Sequence, residues 1–261
     1  NIREGVSLSR RIPSLAGEAE VDCGECGTTL RLILPVYAAL GIPARFTGSG
    51  RLPQRPLSVY QELLPQHGVT LQTEPEAGAG DCLPLRLSGR LTGGEYCLPG
   101  DISSQFVSGL LLALPLCRED SVIRLTSPLE SAGYVDLTLQ VLRKFGIKIR
   151  EVREKIAEAE ETAFQKCKEA APSESSDTPD PSSENYLIRY EIPGNQIYRE
   201  PAGLKVEGDW SNAAFWLVAG ALGGDITCTG LDPDSTQRDK EIITVLEKMG
   251  AKIERKNTSY H

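Results

Sequence analysis

The chain has 261 residues, 40% hydrophobic and 25% charged, enough apolar material for a full core and too balanced a composition for overall disorder. Its net charge of −8 disfavours nucleic acid as a partner, yet leaves a small anionic substrate open, because local field sets a pocket's preference. No apolar run reaches the roughly 20 residues a membrane span needs, and no signal-peptide pattern opens the sequence, so no membrane partner is expected.

In chain order, the first residue is Asn1 and a strand-like stretch follows almost at once, which reads as a cut end. Asp22-Cys23-Gly24 then precedes an apolar helix over Thr28–Leu40, a short strand over Ala44–Gly48 and a second helix ending at Gly68. An alternating stretch, Val69–Gln72, comes next. The plan returns with Gly100-Asp101, a helix over Ser103–Leu114, a strand over Val122–Ser127, a helix ending at Gly146 and alternating Ile147–Arg150. It returns again with Gly208-Asp209, a helix over Ser211–Leu222, a strand over Asp225–Gly230, a helix ending at Gly250 and Ala251–Glu254. Each short strand carries a threonine at the same place (Thr47, Thr126, Thr229), spaced by 79 and 103 residues; the helix-ending glycines are spaced by 78 and 104. Two independent markers drift together, so a module near 80 residues is repeated, of α/β class. Helix-ending glycine has a physical reason, the left-handed C-cap.

The longer second spacing has a visible source. Glu151–Ala170 reads as a charged helix and Ala171–Glu184 is rich in Pro, Ser and acid, so 151–185 is expected to be an insertion with no catalytic role. Seven cysteines, an odd number with Cys97, Cys117 and Cys228 in apolar stretches, fit reduced thiols of a cytoplasmic protein rather than a disulfide framework.

Several segments suit anions. Asp22 to Arg31 joins a Gly-rich turn to the hydroxyls of Thr28 and Thr29 and to Arg31 one turn into a helix; it reads as an anion site or as an ordinary cap. Arg51 and Arg55 flank Leu-Pro-Gln, with Pro56 placed to open a helix, and guanidinium forks suit carboxylate or phosphate; a solvated pair is the alternative. Ser103-Ser104-Gln105 sets two hydroxyls and a carboxamide at a helix start, more than one cap needs. Ser131 and Tyr134 fall at the equivalent boundary after the next strand. Cys23-Gly24-Glu25-Cys26 lacks further zinc ligands, since the histidines are His67 and His261 alone, and reads as coincidence. Neither a Ser-His-Asp set nor a Walker-type loop is present, and no acid stands out as a general base.

Together these segments resemble the enolpyruvyl transferase family, in its shikimate branch, from about Val21 to Ile253. The motifs are Cys26-Gly27-Thr28-Thr29-Leu30-Arg31, Arg51 through Arg55-Pro56, Leu85-Arg86-Leu87 with Thr92-Gly93-Gly94, Ser103-Ser104-Gln105-Phe106, Tyr134-Val135-Asp136 and Glu207-Gly208-Asp209. The resemblance implies two domains, each of three βαβαββ units in an inverse α/β barrel-like arrangement, here incomplete. Residues 1–205 would be most of the first, phosphate-binding domain and 206–261 the first unit of the second. A Lys-Ser segment and an Arg would precede Asn1, and the proton-handling acids and a Lys would follow His261.

The resemblance further implies transfer of an enolpyruvyl group from phosphoenolpyruvate to the 5-hydroxyl of shikimate 3-phosphate, with no metal or organic cofactor, in a protein that is monomeric when complete. Gly27, Arg55 and Gln105 would bind phosphoenolpyruvate, where the herbicide glyphosate also goes. Ser103, Ser104, Gln105, Ser131 and Tyr134 would bind shikimate 3-phosphate; Thr28, Arg31 and Arg51 would support. The sequence departs from the family at Glu25, often Asn, at Leu32, Pro in one branch, and at Ala132-Gly133, frequently Lys-Pro. The alternatives are a UDP-N-acetylglucosamine enolpyruvyl transferase, or a non-catalytic substrate-binding fragment.

Overall fold

The structure, a computed structural model, describes residues 17–74, 82–155 and 186–261. It divides into two compact units, Asn1–Glu200 and Pro201–His261.

The first unit holds two copies of one module. The first copy runs β1 (Ala19–Asp22), α1 (Gly27–Leu40), β2 (Ala44–Thr47), α2 (Ser58–Leu63), β3 (Val69–Thr73) and β4 (Leu85–Gly89). The second runs β5 (Gly94–Leu98), α3 (Ser104–Ala113), β6 (Ser121–Leu125), α4 (Ala132–Lys144), β7 (Arg150–Lys155) and β8 (Tyr186–Ile192). Their sheets have the same order, β1-β2-β4-β3 and β5-β6-β8-β7, with the first pair parallel and the others antiparallel. A parallel pair needs a crossover, and α1 and α3 supply it, so the loops after β1 and β2, or after β5 and β6, emerge at one end of each sheet.

The second unit shows α5 (Trp210–Ala221), β9 (Cys228–Thr229), α6 (Ile242–Lys248), β10 (Arg255–Lys256) and β11 (Ser259–Tyr260), with sheet order β10-β11-β9. That is the same module with no first strand among the described residues. Its core gathers on buried Trp210, which stacks edge-on with Tyr260 at 5.0 Å and donates from its indole to the Asp232 carbonyl at 3.0 Å. Gly68, Gly146 and Gly250 all take positive φ (81°, 80° and 96°), the left-handed conformation expected at the ends of the second helices.

Three expectations need correction. Ile147–Ile149 and Ala251–Glu254 are not strands; the strands begin at Arg150 and Arg255. Glu151 onward is not a helix: Glu151–Lys155 lies in β7, where Glu151 pairs with Tyr190 and Val152 with Arg189 of β8. An edge strand tolerates a charged run because one flank faces water. β7 therefore belongs to the module rather than to an insertion. The rest of that segment, including Ala171–Glu184, lies outside the described residues. Lastly, Cys97 is disulfide-bonded, unlike the free thiols of Cys23, Cys26, Cys82, Cys117 and Cys228.

α1 and α3 pack side by side at the centre of the first unit's core. They run parallel, since Thr28 meets Gln105 at one end and Pro35 meets Gly109 further along. Pro35 lies inside α1 and has no N–H, so the Arg31 carbonyl four residues back loses its helical donor. The buried Tyr60 hydroxyl replaces it, donating to the Arg31 carbonyl at 2.8 Å and lying 3.0 Å from the Phe106 carbonyl of α3. Burial pushes the Tyr60 pKa well up, which keeps that proton in place. Gly109 makes room: a Cβ there would run into both the Tyr60 hydroxyl and the Arg31 carbonyl.

Candidate functional site

The candidate residues sit on four loops, two from each copy in the first unit, at the helix starts. In the first copy Cys23 N–H donates to the Thr47 carbonyl at 2.9 Å and Ser49 N–H to the Gly24 carbonyl at 2.8 Å, tying the loops after β1 and β2 together. In the second copy Gly100 N–H donates to the Ser127 hydroxyl at 2.8 Å, and that hydroxyl donates to Asp101 Oδ1 at 2.8 Å. A Cβ at Gly100 would lie 2.6 Å from the Ser127 carbonyl, so glycine permits this close approach.

α1 begins at buried Gly27, with Cys26 as its N-cap; Cys26 Sγ accepts from Thr29 N–H at 3.4 Å. Hydrogen bonding from Thr29 holds the exposed Cys26 thiol below its ordinary pKa, whereas burial pushes the Cys23 thiol up to about 11. The two cysteines of the Cys-x-x-Cys are thus a cap and a core residue. Arg55 closes a short 3-10 turn, Leu52–Gln54, and α2 starts only at Ser58, so Pro56 precedes the helix rather than opening it. The Arg55 guanidinium lies over Gly27: a Cβ at Gly27 would be 2.6 Å from Arg55 Nη1. Arg51 is exposed at the start of the same turn.

Arg31, only 8% exposed, reaches across to the second copy. It donates through Nη1 to Gln105 Oε1 at 2.9 Å and through Nη2 to the Pro56 carbonyl at 2.8 Å, and its guanidinium stacks over the Phe106 ring at 4.7 Å. Gln105 Nε2 in turn donates to Thr28 Oγ1 at 2.8 Å. Burial first, and then the Arg55 guanidinium, hold the Arg31 pKa below its ordinary value. Neither arginine is in a salt bridge among the described residues. Two neighbouring cations, one buried and one exposed, with no carboxylate in a salt bridge to either among the described residues and close to helix N-termini, form a field suited to an anion.

Ser103 is the N-cap of α3 and accepts from Gln105 N–H at 3.3 Å, while Ser104 is 7% exposed on its first turn. Ser131 caps α4 with a left-handed backbone (φ 54°) and spends no side-chain hydrogen bond on the cap. Tyr134, one turn in, is 56% exposed. α3 packs on α4, so these four lie at adjoining helix starts of one copy. The structure thus joins Gly27, Thr28, Arg31, Arg55 and Gln105 directly and sets Ser103, Ser104, Ser131 and Tyr134 on neighbouring loops. Among the described residues it gives Arg51 no side-chain bond to the cluster. Sequence reasoning missed Tyr60 and Gly109, whose one visible signal was Pro35 four residues after Arg31, and it quoted Phe106 in a motif without giving it a role. Among the described residues no group of three acids, histidines or cysteines could hold a metal ion, and no helix is long and apolar enough to cross a membrane.

Comparison with known proteins bears on this geometry. A family model described as EPSP synthase (3-phosphoshikimate 1-carboxyvinyltransferase) matches residues 5–188 and 182–261. The chain is 42% identical over 236 residues to a 3-phosphoshikimate 1-carboxyvinyltransferase of Clostridium kluyveri, covering 90% of this chain and 46% of that protein. It is 41% identical over 233 residues to one of Clostridium perfringens, covering 89% and 46%. The chain therefore spans about half the length of the curated relatives it matches. Among solved structures, EPSP synthase from Acinetobacter baumannii superposes with a TM-score of 0.60 at 22% identity, over 94% of this chain and 48% of that one. The enolpyruvyl transferase NikO from Streptomyces tendae gives 0.52 at 16% identity, over 87% and 45%. These two show a shared fold, and the family match over most of the sequence shows more: the chain belongs to the EPSP synthase (3-phosphoshikimate 1-carboxyvinyltransferase) family.

Proposed function

We propose that the protein to which this chain belongs transfers the enolpyruvyl group of phosphoenolpyruvate to the 5-hydroxyl of shikimate 3-phosphate, releasing inorganic phosphate. In this reading Gly27, Arg55 and Gln105 line the phosphoenolpyruvate side. Ser103, Ser104, Gln105, Ser131 and Tyr134 line the shikimate 3-phosphate side, with Thr28, Arg31 and Arg51 in support. The carrying observation is the Arg31–Arg55 pair, without a carboxylate partner among the described residues, in which the Arg55 guanidinium lies over a glycine whose missing side chain leaves it room. The activity for which the relatives are named supplies the chemistry. The division of the chain at Glu200 and Pro201 supports reading residues 1–205 as most of a phosphate-binding domain and 206–261 as the first unit of another.

The 5-hydroxyl gives up its proton as its oxygen bonds to C2 of phosphoenolpyruvate, and the electrons of the C2–C3 double bond take a proton at C3, giving a tetrahedral intermediate. Loss of a C3 proton and of phosphate then restores the double bond. Fixed donors around both anions hold them in a reacting geometry and stabilise the charge that shifts at C2. Phosphate release by the complete protein with shikimate 3-phosphate, and with UDP-N-acetylglucosamine, tests the proposal. Turnover is expected with the first acceptor; turnover with the nucleotide sugar alone overturns it.

A further inference from the structure

We propose that Arg31 is a positioning residue that sets the donor sense of the chain Arg31–Gln105–Thr28, so that the adjoining starts of α1 and α3 offer protons, and not lone pairs, to a ligand. The proposal rests on the anion-binding reading above. Guanidinium carries five donors and no acceptor, so the Gln105 atom facing Arg31 must be the oxygen, whatever the ambiguity of an amide flip elsewhere. The 2.9 Å bond from Arg31 Nη1 to Oε1 therefore turns Nε2 towards Thr28, where it donates to Oγ1 at 2.8 Å. Having accepted there, the exposed Thr28 hydroxyl can act only as a donor with its own proton, which the neighbouring Cys26 sulfur accepts until a ligand replaces it, and Gln105 keeps its second amide proton.

Arg31 itself is unsuited to touch the ligand. It is nearly buried, with Nη1 on Gln105, Nη2 on the Pro56 carbonyl and its plane over Phe106. The bond to Pro56 also anchors the residue next to Arg55, so one buried cation orients groups contributed by both copies of the module. Without it, Gln105 could present its oxygen to the Thr28 proton, and both groups would turn from donors into acceptors facing an anion.

The test uses the 15N-labelled 261-residue chain with phosphoenolpyruvate as probe. The Gln105 side-chain amide pair is identified by its absence in Gln105→Ala. In the wild type it is expected to be a single ordered conformer with slowed proton exchange. Arg31→Met should speed that exchange about tenfold or more and lower its heteronuclear NOE, while Arg31→Lys, which can still donate to one acceptor, should restore most of the order. The phosphoenolpyruvate Kd should rise about tenfold in Arg31→Met and in Gln105→Ala, the size expected for one lost bond to a charged ligand, and no more than about twofold further in the double variant. If Arg31→Met does not fold, the same cycle is run with Arg31→Gln, a neutral side chain that accepts as readily as it donates and so no longer fixes the sense of Gln105. An unchanged Gln105 amide in Arg31→Met, or losses that multiply to about a hundredfold in the double variant, overturns the proposal. A wild-type chain that binds no phosphoenolpyruvate overturns the anion reading instead, while the amide readout, which needs no ligand, still decides the role of Arg31.

Discussion

Replacing Gly27 by alanine sets a methyl carbon 2.6 Å from Arg55 Nη1 and 3.3 Å from its Cζ. Ordinary contact begins near 3.4 Å, so the guanidinium must retreat by about 0.8 Å or more. Gly27 has no positive φ, and the atoms it meets are the far end of an exposed, flexible side chain. Folding stability should therefore change by no more than about 0.5 kcal/mol. Binding is another matter, because a displaced fork loses charge-assisted bonds worth about 1.5–3 kcal/mol. That corresponds to a roughly ten- to hundredfold rise in the phosphoenolpyruvate Kd. Glyphosate, the longer anion expected in the same pocket, should weaken more, and shikimate 3-phosphate should barely change. Calorimetric titration of each ligand, with a thermal melt as control, reads all of this. A phosphoenolpyruvate Kd within twofold of wild type would refute the placement of the anion under Arg55, and a collapsed melting temperature would refute the claim that Arg55 yields freely.

Gly109→Ala makes the contrasting case, since its methyl meets the Arg31 backbone and the Tyr60 hydroxyl; it should cost about 1–3 kcal/mol or more in denaturant unfolding of the first unit. Ser104→Ala should weaken shikimate 3-phosphate by about 1.5–3 kcal/mol and phosphoenolpyruvate much less; equal weakening would reduce Ser104 to a structural role. Iodoacetamide should label exposed Cys26, whose pKa is lowered, well before Cys23, which is buried and raised to about 11, as peptide mass mapping would show. Asp209, the N-cap of α5, is held below the usual carboxylate range by bonds from Ser211 and then Asn212. Its capping is thus complete above the ordinary carboxylate pKa and fades as pH falls through the lowered one. Asp209→Ala should cost about 1 kcal/mol in the second unit at neutral pH, and the difference should shrink in acid melts.

The module was legible because its markers are local. A left-handed glycine after a helix and a capping residue before one depend on neighbours within a few positions, so Gly68, Gly146, Gly250 and Ser103 could be read from the chain. β7 was not legible, because Glu151–Lys155 has a charge pattern that suits a helix face or an edge strand equally, and only pairing with β8 decides. Arg31 was legible as a cation near an anion loop, but its partners Gln105, Pro56 and Phe106 lie 74, 25 and 75 positions away. The Pro35–Tyr60–Gly109 arrangement has the same cause: a missing helical donor is visible in sequence, whereas the side chain that replaces it belongs to another element.

The most direct test of the central claim is a titration of the 15N-labelled chain with shikimate 3-phosphate and phosphoenolpyruvate, followed residue by residue. Saturable shifts at Ser103, Ser104, Ser131 and Tyr134 with the first ligand, and at Gly27, Arg55 and Gln105 with the second, are the predicted result. Saturable binding of either ligand that leaves these residues unmoved would contradict it.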